Sequence, residues 1–432
     1  MPMGSIIAGS LTDRSRQRTL QGLGVFCGMA AALWLAAAEA PTKLVTIAVS
    51  PLIISFMMVL GAFISRWSLP ALIRGTSDIG RDVRQAPHLV VWGILAGCLW
   101  AVGNTLTIFG VRDIGLSIAF PLWNSNSLIG IAWGTLFFRE LRRAGWLRWV
   151  GVVGGAVIIF GGALMLSFAS TSQSSSPHPL RGVAAALGAG LMFGSMYIPY
   201  RKAYISGMNP LSFVTFFTFG EMGTITALTV VFLGGVTPVW HELVQFRGIL
   251  FWPLLGGFMW VIGDLFQNFA AKYVGISRGI PLSNTNQLWG LLWGILVFGE
   301  LRGAPHGILA KVVGGSLVMA VGAVAIAFSS APEGEYISWK EAAQRESDLY
   351  AIDPAFVASS MEGKEKSETP FRRTWLDWSL VIAATSIFVA FGTLAVIPHL
   401  EINWIWLAGL ASAMLVVLVA CGIMMWRTTR FN

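Results

Sequence analysis

The sequence predicts an all-α polytopic membrane protein: a ten-helix core of two inverted five-helix repeats, followed by a C-terminal two-helix hairpin. Three observations predict it. Of the 432 residues, 55% are apolar and 12% are charged, about half the charged share of a soluble domain; mean hydropathy is +0.69. Twelve apolar runs have about the length that crosses a bilayer core of roughly 30 Å. A 21-residue motif occurs twice, 160 residues apart.

The runs cover 20–40, 44–65, 88–110, 114–138, 147–169, 181–204, 210–234, 248–271, 275–299, 306–328, 377–398 and 402–426. They are continuous rather than alternating, which excludes a β-barrel. The composition also excludes a soluble enzyme and a disordered chain. A net charge of +8 would suggest nucleic acid in a polar protein. Here the basic residues flank apolar runs, so no nucleic-acid partner is expected. Cys27, Cys98 and Cys421 lie inside runs, with neither CxxC spacing nor a disulfide framework. No metal and no cofactor is expected. The first run follows Arg14, Arg16 and Arg18 as a signal peptide would, but it is long for one.

Lys and Arg placement sets the orientation. With the N-terminus inside, 23 of the 29 basic residues fall on the cytoplasmic side. Arg66, Arg74, Arg81 and Arg84 are placed there, after the second run. Both termini are then cytoplasmic, in the plasma (bacterial inner) membrane, and the helix count is even.

The duplication is direct. Residues 121–141 read PLWNSNSLIGIAWGTLFFREL and residues 281–301 read PLSNTNQLWGLLWGILVFGEL, with twelve of 21 positions identical. The offset also pairs Trp100 with Trp260, Asn104 with Asp264 and Gly154–Gly155 with Gly314–Gly315. Pro51–Leu52 meets Pro210–Leu211 at an offset of 159. The unit holds five runs. Because five is odd, tandem copies insert in opposite orientation, the arrangement that underlies alternating access. The chain divides into a tail (1–19), a first repeat (20–169), a linker (170–180), a second repeat (181–328), a charged cytoplasmic linker (329–376), a transmembrane hairpin (377–426) and a second tail (427–432). Within the charged linker, Trp339–Tyr350 reads as an amphipathic helix.

Polar groups at membrane depth usually face the bundle interior. On the third run Trp100 and Asn104 share a face. On the eighth, the equivalent stripe carries Trp260, Asp264, Gln267 and Asn268. Amides and carboxylates take hydroxyls in pairs and an indole covers ring C–H faces, which suits a sugar. On the fourth and ninth runs, Asn124 with Ser127, and Asn284 with Gln287, form one face. Asn126 and Asn286 lie about 200° round an unbroken helix from Asn124 and Asn284, and are expected to bond between helices instead. Pro121 and Pro281 either break these helices beside a polar cavity or sit in a first helical turn. Glu221, inside FVTFFTFGEMGTIT, and Asp264 are the candidate ion-coupling carboxylates. Glu39 lies near the end of the first run. The five histidines sit in or beside loops without metal spacing, and no GxxxxGKS motif appears. Neither an enzyme nor an ATP-driven pump is indicated.

Two segments, GCLWAVGNTLTIFGVRDIGLSIAFPLWNSNSLIGIAWGTLFFREL (97–141) and GFMWVIGDLFQNFAAKYVGISRGIPLSNTNQLWGLLWGILVFGEL (257–301), resemble the third-plus-fourth and eighth-plus-ninth helices of the bacterial glucose/ribose uptake porters. Those porters belong to the drug/metabolite transporter superfamily. FGSMYIPYRK (193–202) is similar to a repeat start in the L-rhamnose–proton symporters. The resemblance spans residues 20–328, about 70% of the chain. It implies ten helices in two inverted halves and sugar uptake driven by protons, but supplies no assigned substrate residues. The chain departs from the pattern in its C-terminal hairpin, its charged linker and the first helix, where ALWLAAAEAPTK lacks a Gly-Ser step.

The expected function is secondary active import of a monosaccharide by alternating access, with a proton as candidate coupling ion. Lipid is the surrounding partner, and a homodimer is one option for assembly. The competing expectation is export of amphipathic metabolites or drugs by the same fold; an exporter would line its cavity with more apolar surface.

Overall fold

A computed structural model of the chain describes residues 3–45, 49–139, 145–173, 178–274, 276–329, 332–353, 357, 373–397 and 402–431. Among these residues every regular element is a helix: α1 (Met3–Lys43), α2 (Pro51–Ile73), α3 (Ser77–Gln85), α4 (His88–Ile114), α5 (Leu116–Trp123), α6 (Asn126–Phe138), α7 (Trp146–Gln173), α8 (Pro179–Ile205), α9 (Pro210–Phe232), α10 (Val236–Gln245), α11 (Phe251–Val274), α12 (Ile276–Ser283), α13 (Asn286–Leu292) running into a wide π turn (Trp293–Val297), α14 (His306–Ser329), α15 (Pro332–Tyr350), α16 (Trp375–Thr393) and α17 (Trp404–Thr428).

Nine of the described helices are long and apolar enough to cross a membrane, so the chain is a multi-pass membrane protein. Twelve continuous spans were expected from the sequence. The runs at 114–138 and 275–299 are each split into two short helices. The run at 248–271 is a continuous helix, α11, diluted by Asp264, Gln267, Asn268 and Lys272.

Local signals explain several boundaries. α2 and α9 both open on proline, whose missing N–H costs nothing at a first helical position. Each is capped by the preceding side chain: the Leu52 amide donates to Ser50 Oγ (3.3 Å) and the Leu211 amide to Asn209 Oδ1 (2.8 Å).

Helix pairing follows an exchange rule. α1 packs on α11 and α8 on α4; α2 packs on α11 and α9 on α4; α12 and α13 lie against α1, as α5 and α6 lie against α8; α7 pairs with α14. Glycines make the close contacts, as is usual where no water drives helices together. A Cβ at Gly97 would meet Phe217 O at 2.1 Å, and one at Gly257 would meet Met58 O at 1.9 Å. In the same way Gly61 presses on Leu254 O (2.0 Å) and Gly220 on Ile94 O (1.9 Å). Between α7 and α14, Gly155 faces Gly322 and Gly162 faces Gly315. Each contact has a partner displaced by 159 or 160 residues.

The C-terminal helices are fastened to this bundle. The Asp377 carboxylate caps α16 and accepts from the Thr76 amide (2.8 Å) and Thr76 Oγ1 (2.7 Å). The Val396 amide donates to Gly248 O (2.7 Å) and the Asn403 amide to Val297 O (3.0 Å). α15 contains the amphipathic segment expected at Trp339–Tyr350. It docks on α8 through Lys202–Glu346 (2.7 Å), with Tyr350 stacked on His88.

Gly220 and Gly223 on α9 provide a test of close approach. No atom lies within 4 Å of a Cβ at Gly223. Gly220→Ala is expected to lower stability by ~1–3 kcal/mol through overpacking, and Gly223→Ala to raise it by about 0.5–1 kcal/mol. Thermal unfolding in detergent reads both.

Candidate functional site

The site grows from the two helix breaks. α5 ends at Trp123 and α6 starts at Asn126; α12 ends at Ser283 and α13 starts at Asn286. Across each break the backbone closes i→i+3 turns, Ser125 N to Leu122 O (3.2 Å) and Thr285 N to Leu282 O (3.3 Å). Pro121 and Pro281 each sit sixth in an eight-residue helix, not in a first turn, and the turn follows three residues later.

The break overturns one sequence expectation. On an unbroken helix Asn124 and Asn126 diverge. Here the helix axis is interrupted between them, and Asn124, Asn126, Asn284 and Asn286 all line one pocket. They also bond to each other, as expected for Asn126 and Asn286. Asn124 Nδ2 donates to Asn286 Oδ1 (2.7 Å). Asn284 Nδ2 faces Asn126 Oδ1, Ser127 Oγ (2.5 Å) and Asn124 O (3.2 Å). All four asparagines are buried.

Other helices complete the lining. α11 contributes Trp260 and Gln267, α8 contributes Phe193, Met196 and Tyr197, and α1 contributes Leu35 and Glu39; Phe120 and Trp123 come from α5. Gln267 Nε2 donates to Ser283 Oγ (2.6 Å) and Tyr197 OH (3.2 Å). Glu39, expected near the end of the first run, is 5% exposed and faces the pocket.

A charged cluster lies beside this pocket. Arg66, read from the sequence as a loop residue beyond the second run, sits inside α2 with a fully buried side chain. Its Nη1 is 3.1 Å from Asp264 Oδ2 and its Nε 3.5 Å from Glu221 Oε2; both acids are fully buried too. Tyr200 OH donates to Asp264 Oδ1 (2.9 Å). The guanidinium carbon lies 3.9 Å from the Phe217 ring centre, 5.2 Å from Trp260 and 5.9 Å from Trp100, within reach of cation–π attraction. Trp100 and Trp260 touch, with centroids 4.5 Å apart.

The sequence-selected residues therefore separate. Asn124, Trp260, Gln267 and Asn284 line the pocket. Asp264, Glu221 and Trp100 surround Arg66. Asn268 bonds to Tyr204 OH and to Asp264 O. Asn104 turns toward α2, donating to Ser55 Oγ (2.9 Å), and Gln287 is buried outside the pocket lining. Sequence reasoning missed Arg66 and the pocket roles of Asn126, Asn286, Trp123 and Tyr197. The signal for Arg66 was present: the apolar pattern resumes after it, through Trp67, Leu69, Ala71, Leu72 and Ile73.

Asn284 is the hub of the amide network. Asn284→Ala is expected to cost ~1–3 kcal/mol by leaving buried acceptors without a donor. Asn284→Asp, which replaces the donor with acceptors, is expected to cost more. Both are measurable as thermal shifts in detergent.

Comparison with known proteins agrees with the sequence resemblance. Residues 218–345, which include Glu221, Asp264 and Asn284, match the model of the family described as "Sugar transport protein". A Streptococcus agalactiae (serotype V) protein named "Putative sugar uptake protein" is 26% identical over 55% of this chain and 81% of its own length. The "Probable glucose uptake protein GlcU" of Staphylococcus epidermidis is 22% identical over 53% of this chain and 77% of its own. These matches bear out the chain's resemblance to a family of sugar-uptake porters.

Proposed function

We propose that the chain is a secondary active transporter that imports a monosaccharide across the plasma membrane by alternating access, coupled to protons through Asp264 and Glu221. The pocket carries this reading. Four asparagine amides and Gln267 converge on one space with the indoles of Trp123 and Trp260 at its wall. Paired amides match vicinal hydroxyls, and an indole face covers the C–H side of a sugar ring. Seven of the thirteen lining residues carry amide, carboxyl or phenol groups, which favours a sugar over an amphipathic export substrate. The sugar-uptake names of the relatives point the same way, and they indicate a transporter rather than an enzyme.

The inverted-repeat reading draws support from the exchange rule in helix pairing and from the paired glycine contacts. In this reading the two broken helices meet at the pseudo-two-fold axis, where the substrate site of such transporters lies. The asparagines satisfy one another. A sugar replaces amide–amide bonds with amide–hydroxyl bonds, so its binding re-pairs the two halves rather than leaving polar groups unmet.

Proteoliposomes with a panel of labelled monosaccharides test the reading. Uptake of at least one, enhanced by an inward proton gradient, is expected; uptake of none refutes import of a monosaccharide. Gln267→Ala is expected to raise the half-saturating sugar concentration at least ~10-fold, about 1.4 kcal/mol. Asp264→Asn is expected to lose gradient-driven accumulation and to keep counterflow exchange. Full accumulation in that variant removes Asp264 from the coupling step.

A further inference from the structure

We infer that Arg66, Glu221 and Asp264 together form one proton site with room for a single exchangeable proton, and that Arg66 is its positioning residue. The inference rests on the proton-coupled reading above and adds a stoichiometry and a third residue to it.

Charge balance carries the inference. All three side chains are 0% exposed. Arginine keeps its proton in proteins, so the cluster holds one fixed positive charge and two acids. An ion pair needed only for packing requires one acid; the second is surplus. With both acids ionised the cluster has a net negative charge, which burial opposes strongly. With one protonated it is neutral. The other groups set against Arg66 carry no charge. α8 adds Tyr200 and Tyr204, both neutral phenols, α4 adds Trp100, α9 adds Phe217 and α11 adds Trp260. Among the described residues no second cation pairs with either acid.

Geometry separates the two acids. Asp264 has the shorter contact to Arg66 (3.1 Å) and accepts a hydrogen bond from Tyr200 (2.9 Å). Both features favour its ionised form. Glu221 has the longer contact (3.5 Å), and neither of its oxygens has a hydrogen-bond partner. The exchangeable proton therefore resides on Glu221, while Arg66 holds Asp264 as the carboxylate. Loss of that proton to water leaves two carboxylates competing for one guanidinium. Trp260 conveys the change, since its ring both lines the sugar pocket and lies 5.2 Å from the Arg66 guanidinium carbon.

Infrared difference spectroscopy of the full-length protein tests this without any sugar. The carboxylic-acid C=O band, identified by its shift in D2O, counts protonated carboxyls. Wild type is expected to show one such group that Glu221→Gln and Asp264→Asn both lose, because each variant leaves a neutral pair with Arg66. Glu39 is unchanged across the series and cancels. Arg66→Met is expected to gain a second protonated carboxyl; if it does not fold, the two amide variants carry the test. A band that survives in either amide variant overturns the inference, because it shows a proton that the Arg66 pair does not govern. A structural ion pair would leave the count unchanged. If the band behaves as expected and no monosaccharide is taken up, the import reading fails and the proton site stands. Proton-driven uptake with no shared band has the reverse meaning.

Discussion

Arg66 is fully buried and has no way to lose its charge, and the centre of the molecule is arranged around that constraint. α9 supplies Glu221, α11 supplies Asp264, and three aromatic rings from α4, α9 and α11 close the remaining faces. Side chains of ordinary length can meet there because the backbones are already close. Gly61 brings α2 against Leu254 of α11, and Gly220, the residue before Glu221, brings α9 against Ile94 of α4. Packing of small residues and burial of charge are thus one arrangement: without the first, the guanidinium would stand at a distance from its acids, and a buried charge without partners is not sustained.

α8 and α11 join the charged cluster to the amide pocket. Three phenols of α8 each bond to α11: Tyr197 to Gln267, Tyr200 to Asp264 and Tyr204 to Asn268. Gln267 and Trp260 face the pocket from the same helix that carries Asp264. On the proposed reading, a shift of α8 against α11 would change both sites together. That is the physical requirement for coupling: two ligands that bias one movable element.

Much of this architecture was legible in the sequence. The offset of 160 predicted which helices would be equivalent, because residues that set close contacts, such as Gly97 and Gly257, are repeated with it. What was not legible came from treating apolar runs as uniform helices. A hydropathy window ends the second span at Arg66 because arginine is costly in lipid, yet α2 continues to Ile73 since the acids that offset that cost lie 155 and 198 positions further along the chain. The wheel argument separated Asn124 from Asn126 because it assumed an unbroken helix, whereas the chain turns between them. Long-range pairing and a local break are both tertiary facts, and periodicity reports neither. Asn104 shows the converse. Its equivalence to Asp264 is plain in the repeat, but its partner is Ser55 on α2 and not a charge.

That last difference is one of charge. The positions equivalent to Arg66 and Glu221 at the repeat offset of 159 are Ile225 and Ala62, and Asn104 stands opposite Asp264. The halves therefore share a packing plan and differ in charge: one of the two equivalent places carries Arg66 with two acids, the other a neutral Asn104–Ser55–Thr105 cluster. On the proposed reading, a proton therefore acts in only one of these two equivalent places. It would drive sugar against its gradient through the linkage between proton and sugar binding, a free energy shared by the two sites. Two halves of identical sequence would be driven equally well, because the direction of net transport follows from the gradient across the membrane. The asymmetry between Asp264 and Asn104 thus sets where the linked proton sits, on one half of a duplicated scaffold.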